Sequence, residues 1–238
     1  PPPGNQGNQQ SCVGWAVAYG LKSYQERGEE GWPLADRTGA PDPSHVFSPS
    51  FIYNQLNQGR DGGCSLPDAL NLLHERGAAT LADMPYDASD HRRQPDVRAS
   101  AAAKRYRIDY WRQVNIGDLR EVKAQLNAGY PVVIGAEVDQ GFAKAGAGTI
   151  WKATTGNRTG GHAMVLVGYD DRRHAFKLLN SWGSTWGDRG YGWIDYDHFG
   201  RVVREAFVAK DAINGPGPDT AVLSPPATPP APVVYQPS

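Results

Sequence analysis

Four residues of this 238-residue chain carry groups that work together in acyl chemistry: Gln6, Cys12, His162 and Asn180. A thiol is a strong nucleophile only as thiolate, and a helix N-terminus, an imidazolium or a metal lowers its pKa. Cys12 directly follows Ser11, a fitting N-cap for a helix whose apolar stripe runs Val13, Ala16, Val17, Gly20, Leu21, Tyr24. That position sets the sulfur at the positive end of the helix macrodipole. Gln6 brings a side-chain amide which, with the Cys12 backbone N–H, makes a two-donor oxyanion hole. His162 opens the apolar run Gly160-Gly161-His162-Ala163-Met164-Val165, and Asn180 follows a second such run in Asn180-Ser181-Trp182-Gly183. The Asn180 amide oxygen is placed to accept from the imidazole and fix which ring nitrogen faces sulfur. Each residue alone has an ordinary explanation: an inert thiol, a solvated amide, a core histidine. Together they make a thiol nucleophile with a base, an orienting group and an oxyanion hole.

The elements that must hold these groups fall into two halves. Helical periodicity covers the first: a helix from Ser11 that Gly28 stops, a second opened by Ser48-Pro49, and a third capped by Ser65 and ending at Gly77. A fourth runs from Asp118 to Ala128, with Leu119, Val122 and Leu126 on one face. Beyond Gly129 the pattern is short strands: Tyr130 to Val138, His162 to Tyr169, Ala175 to Leu179, Tyr191 to Ile194 and Val202 to Ala209, with Asp170 to Arg173 as a hairpin turn. Helices followed by strands, without βαβ alternation, predict an α+β fold of two segregated layers. Residues 214–238 hold eight of the 19 prolines and show no period, so they read as an extended or disordered tail.

Composition narrows the partners. A net charge of −1 argues against phosphate or anionic membrane as the main ligand. Apolar runs break within about nine residues, too short for a membrane span. Two cysteines, Cys12 and Cys64, are too few for a disulfide framework or a cysteine-only zinc site, and the histidines lack metal-ligand spacing. The basic stretch Arg92 to Arg112, interleaved with Tyr106, Tyr110 and Trp111, reads as a solvated face. Gly146-Ala147-Gly148 lacks the Lys-Ser/Thr of a phosphate loop. No cofactor and no metal is expected, and neither is nucleic acid nor membrane.

The chain resembles the papain family of cysteine peptidases from Asn5 to Ala209. The motifs are Asn5-Gln6-Gly7 with Ser11-Cys12, Gly161-His162-Ala163 leading to Val167-Gly168-Tyr169, and Asn180-Ser181-Trp182-Gly183-Ser184-Thr185-Trp186-Gly187 continuing to Tyr191. His162 follows Cys12 by 150 residues, within the family's spacing of about 130–150. The resemblance implies a helical lobe (8–115) and a β-barrel-like lobe (116–213) with the cleft between them. It also implies Cys12 as nucleophile, His162 as base and acid, Asn180 as orienter, Gln6 in the oxyanion hole and Trp182 as a shield. The implied activity is endopeptidase cleavage of a peptide or protein substrate by a monomer, with an inhibitory pro-segment as a second partner and secretion or export as the setting. Amidase, isopeptidase or transglutaminase-type transfer shares this geometry, as does a silent binding module on the same fold.

Some positions depart from the family pattern. Val13 stands where an aromatic residue usually follows the nucleophile. Gln9 and Asp61 stand where half-cystines usually do, which looks more like bacterial members. Two glycines that usually line the cleft correspond to Gly63 and Cys64. Cys64 is thus either a small wall residue or a thiol able to reach Cys12. The pocket for the substrate's second residue is expected among Ser65, Gly135, Gly160 and Ala163, small residues with no acidic neighbour, suiting a bulky apolar side chain. The lead-in before Gln6 is short, as for the trimmed part of a longer precursor.

Overall fold

Strand residues apolar at every position, rather than at alternate ones, require a sheet covered on both faces. Val132-Val133-Ile134-Gly135-Ala136 is such a run, and the sheet built on it is the structural divide of the molecule. In the computed structural model, which describes residues 1–212 and 234–235, seven strands pair in the order β2-β8-β3-β5-β6-β7-β4. They are β2 (Ile108–Gln113), β3 (Val132–Asp139), β4 (Ile150–Trp151), β5 (Arg158–Asp170), β6 (Ala175–Leu179), β7 (Tyr191–Asp195) and β8 (Val203–Asp211). All pairs are antiparallel except β4 with β7.

The two-residue period of the strands sorts side chains between two cores. Val133, Ala163, Val165, Phe207 and Ala209 face the helices. Their neighbours Val132, Ile134, Met164, Leu166, Ala206 and Val208 face the opposite core with Phe176, Ile194 and Phe199. The helices comprise α1 (Cys12–Gly14), a π-helical stretch Trp15–Lys22, α2 (Ser23–Glu30), α3 (Pro49–Leu56), α4 (Leu66–Arg76) and α5 (Val97–Ala103). The sheet side adds α6 (Leu119–Asn127), α7 (Gln140–Ala143) and α8 (Tyr196–Val202). A two-residue strand β1 (Cys64–Ser65) pairs with β9 (Val234–Tyr235).

The first helix differs from the expectation in three ways. Gly28 does not stop it: a helical glycine costs only about 1 kcal/mol, and the run continues to Glu30. Gly31 ends it, at φ 69°. Residues 12–23 are buried on every side rather than along one stripe, while Tyr24 is exposed. This encasement depends on glycine: a Cβ on Gly14 would lie 2.6 Å from the Pro49 carbonyl oxygen, and one on Gly20 would lie 2.7 Å from Val165 Cγ2. Finally, Ser11 precedes the helix without capping it by its side chain. Its hydroxyl is taken by Tyr86 Oη at 2.8 Å.

The basic stretch, where no element was expected, holds α5 and the edge strand β2. Trp111 is buried there against Phe207, with Nε1 donating to Asn71 Oδ1 at 3.0 Å. Arg92, Arg93, Arg98, Lys104, Arg105 and Arg107 remain exposed. The expected tail falls mostly on 213–233 and 236–238, outside the described residues.

Candidate active site

Cys12 is the first residue of the helical run that ends at Glu30, and Ser11 O receives the Trp15 N–H at 3.1 Å. The run packs against β5, which carries His162. Backbone N–H groups of Ala163, Val13 and Cys12 itself point at the sulfur. His162 pairs with Ala136 across the β3–β5 ladder, so its ring lies on the sheet face opposite Ala163. Trp182 stacks on the imidazole at 4.6 Å between ring centroids, and Phe142 meets Trp182 edge-on at 5.3 Å.

The His162 Nε2 to Asn180 Oδ1 distance is 2.7 Å. Asn180 Oδ1 also accepts the Ser181 N–H, so its oxygen is held on the acceptor side and Nε2 carries the proton. Nδ1 is buried without a hydrogen-bond partner, leaving a lone pair on the second ring nitrogen. Burial governs both titratable groups. It pushes the Cys12 thiol up to about 11 against the opposing pull of the backbone N–H groups, and it pushes His162 down to about 4 against the Asn180 hydrogen bond. Burial thus favours the uncharged form of each group.

Gln6 is buried beside them, at a junction between the N-terminal segment and the Asn180 loop: its N–H donates to Ser181 O at 2.8 Å. Ser181 Oγ donates to Gln6 Oε1 at 2.7 Å, and Gln6 Nε2 donates to Gln9 O at 2.9 Å. These two bonds fix the amide orientation and use one of the two Nε2 protons. Tyr86 Oη donates to Gln6 O at 2.7 Å. Sequence reasoning named neither Ser181 nor Tyr86 for these contacts. Ser181 at least sits inside the Asn180 motif, whereas Tyr86 comes from a distant loop with no local signal.

The expected wall residues distribute as follows. Gly63, at φ 75°, leads into β1, where Cys64 and Ser65 are buried. The Ser65 hydroxyl caps α4 by accepting the Asp68 N–H at 3.1 Å. Cys12 and Cys64 are both free thiols of one buried cluster, and burial together with Cys12 raises the Cys64 thiol well above its ordinary value. Gly160 and Gly161 are half-buried on β5 opposite Val138 and Glu137. Gly135 and Ala163 pair with each other, and Gly135 also pairs with Glu205 of β8. The row Glu205–Gly135–Ala163 corrects the expectation that no acidic residue stands beside these positions: Glu205 is 42 residues beyond Ala163 in sequence, and only the β3–β8 register brings it there.

The positions read as lost half-cystines, Gln9 and Asp61, are each tied down by hydrogen bonds, though not to one another. Asp61 Oδ1 accepts the Gln10 N–H at 2.8 Å and the Tyr53 hydroxyl at 2.5 Å, and Gln9 Nε2 donates to the Asp87 carbonyl at 3.2 Å. A carboxylate thus joins the segment before Cys12 to the loop before β1.

Residues 52–209 match the family described as papain family cysteine protease. The chain is 26% identical over 213 residues to an uncharacterized peptidase C1-like protein of Acanthamoeba polyphaga mimivirus, covering 82% of this chain and 64% of that one. It is 31% identical over 194 residues to cysteine proteinase 1 of Entamoeba histolytica, covering 79% and 57%. The chain therefore spans less than two thirds of the length of either relative. In structure it is similar to xylellain, a cysteine protease from Xylella fastidiosa, with a TM-score of 0.76, 24% identity, and coverage of 90% and 84%.

Proposed function

We propose, for a chain that belongs to the papain family of cysteine proteases, that it hydrolyses peptide bonds within a polypeptide substrate through Cys12, His162, Asn180 and Gln6. The observation that supports this most is the Nε2–Asn180 hydrogen bond, which leaves the Nδ1 lone pair of His162 for the thiol proton. Proton transfer from Cys12 Sγ to Nδ1 gives a thiolate and an imidazolium that stabilise each other and compensate for their desolvation. The thiolate attacks the substrate carbonyl carbon. The developing oxyanion takes the Cys12 N–H and the second Nε2 proton of Gln6. His162 returns its proton to the leaving amine, and water then cleaves the thioester with His162 as base.

Trp182 excludes water from the His162–Asn180 bond, and Ser181 fixes the Gln6 amide so that its second Nε2 proton is held for the oxyanion. Gly63, Cys64, Gly160 and Gly161 line the cleft, and the small residues Ser65, Gly135, Gly160 and Ala163 leave room for a bulky side chain, with Glu205 in the row of Gly135 and Ala163 adding a carboxylate. Residues 1–213 form the peptidase domain, acting as a monomer. Incubating a mixed peptide library with the full chain and with Cys12→Ala, in reductant, tests this reading. Internal cleavage that disappears in Cys12→Ala is expected. Cleavage that persists in the variant, or none by a chain whose Cys12 is readily alkylated, overturns it.

A further inference from the structure

A peptidase needs its sulfur reachable, yet Cys12 and His162 are both 0% exposed and Gln6 only 1%. A substrate carbonyl cannot approach Cys12 in this arrangement, so something must move away first. The described segment that lies on the cleft wall without belonging to either lobe is β9. Val234 pairs with Ser65 and Tyr235 with Cys64, antiparallel, along the strand β1 that leads into α4. Cys64 shares a buried cluster with Cys12. The backbone of β9 also runs close to β5, the strand that carries His162.

Antiparallel backbone pairing is how an extended peptide is held on an exposed edge, because its N–H and C=O groups complete the unpaired ladder. The chain between Ala212 and Val234 comprises 21 residues, whose extended length of roughly 70 Å is ample to bring the C-terminal segment back over the cleft. Its richness in proline lowers the entropy lost on holding it extended.

We infer that the C-terminal segment around Val234–Tyr235 is an internal competitor for the substrate cleft: it docks on β1 as a substrate backbone would and holds the protease closed until displaced. The inference rests on the peptidase reading of the cleft. Tethering raises the local concentration of such a segment into the millimolar range, so a docking affinity near 0.1 mM suppresses activity about tenfold.

The test uses the full chain and the full-chain double variant Val234→Pro/Tyr235→Pro, in which neither residue can donate to the ladder. Three readouts are taken: amide exchange at Cys64 and Ser65, alkylation rate of Cys12 located by peptide mapping, and kcat/KM on the peptide library. Faster exchange at β1, faster Cys12 alkylation and a rise of about tenfold in kcat/KM are expected, with a synthetic peptide of residues 228–238 restoring inhibition competitively. Unchanged β1 exchange overturns the docking. Faster exchange with unchanged alkylation and cleavage overturns the inhibitory role. If neither chain cleaves peptides while exchange and alkylation both rise, the docked tail stands and the peptidase reading falls.

Discussion

Ten residues apart on one helical run, Cys12 and Lys22 are both wholly buried, and their surroundings were resolved in opposite ways. Lys22 Nζ bonds Glu26 Oε1 at 2.6 Å, pairs with Asp211 on β8, and reaches the Arg107 carbonyl at 3.5 Å. Nearby, Gln25 Nε2 donates to Ala209 O at 3.0 Å. One ammonium thus faces two carboxylates, with Glu29 beside them, and the cluster ties the helical run to β8. At the other end of the run, Cys12 and His162 are desolvated as neutral groups, with Nδ1 left without a partner. Buried polar groups normally find partners, because each unpaired one costs roughly 1–3 kcal/mol. An ion-paired cluster ties elements together; an uncharged one with an open lone pair keeps bonding capacity for a reacting molecule.

The largest effect is expected where the uncharged end is broken. Cys12→Ser should lower kcat by at least about 10³-fold, since the components of a nucleophile–base pair act as a unit. Its melting temperature should change little, as read by circular dichroism. A variant that cuts at an appreciable fraction of the parent rate would end the analogy with a thiol nucleophile.

Breaking the ion-paired end should do the reverse. Lys22→Met leaves Glu26 and Asp211 buried beside each other, and loss of one partner from a buried ion pair costs about 3–5 kcal/mol. Urea titration should show that loss, while kcat at temperatures below the melt stays near the parent value. The triple change Lys22→Met/Glu26→Leu/Asp211→Leu should recover much of it. If Lys22→Met abolished activity while leaving stability intact, the division between the two ends would be wrong.

Acidity sharpens the contrast. His162 has a folded pKa of about 4 against 6.5 for the free side chain. The unfolded chain therefore binds more protons between these values, and stability falls as pH drops from about 6.5 to 4. One pKa unit is 1.36 kcal/mol, so this group accounts for up to about 3 kcal/mol. Cys12 acts on the other flank: its folded value of about 11 exceeds the ordinary 9.0, so its contribution is present below pH 9 and lost as pH rises to 11. Denaturant midpoints across pH should be flatter on the acid side in His162→Gln. Identical acid slopes in the two chains would rule out a buried neutral imidazole.

Two smaller effects concern the supports. Ser181→Ala removes the hydroxyl that sets the Gln6 amide and should lower kcat about tenfold with little change in KM, a cost of about 1.4 kcal/mol in the transition state alone. A change in KM alone would instead assign Ser181 to substrate binding. Asp61→Ala removes acceptors for the Gln10 N–H and the Tyr53 hydroxyl and should cost about 1–2 kcal/mol of stability. Calorimetry decides it: an unchanged melt would mean that the segment before Cys12 is held elsewhere.

The amino-acid sequence was enough to point to the family and to the secondary elements nearest the candidate site. Cys12 after Ser11, His162 at a strand start and Asn180 after a strand are local patterns, set by residue type and period within a few neighbours. The Ser65 cap and the Ala175–Leu179 strand were legible for the same reason. The end of the first helix at Gly31 rather than Gly28 was less so, because a helical glycine costs only about 1 kcal/mol and composition does not tell which of two nearby glycines takes the left-handed conformation. What lay beyond the sequence depends on pairing between distant segments. Glu205 joins Gly135 and Ala163 only through the β3–β8 register; Asp61 is tied down only because the Gln10 and Tyr53 donors converge on it; and β9 reaches β1 across 168 residues between Ser65 and Val234. Strand register and loop convergence are fixed by the packing of the whole chain, so no window of neighbouring residues could have revealed them.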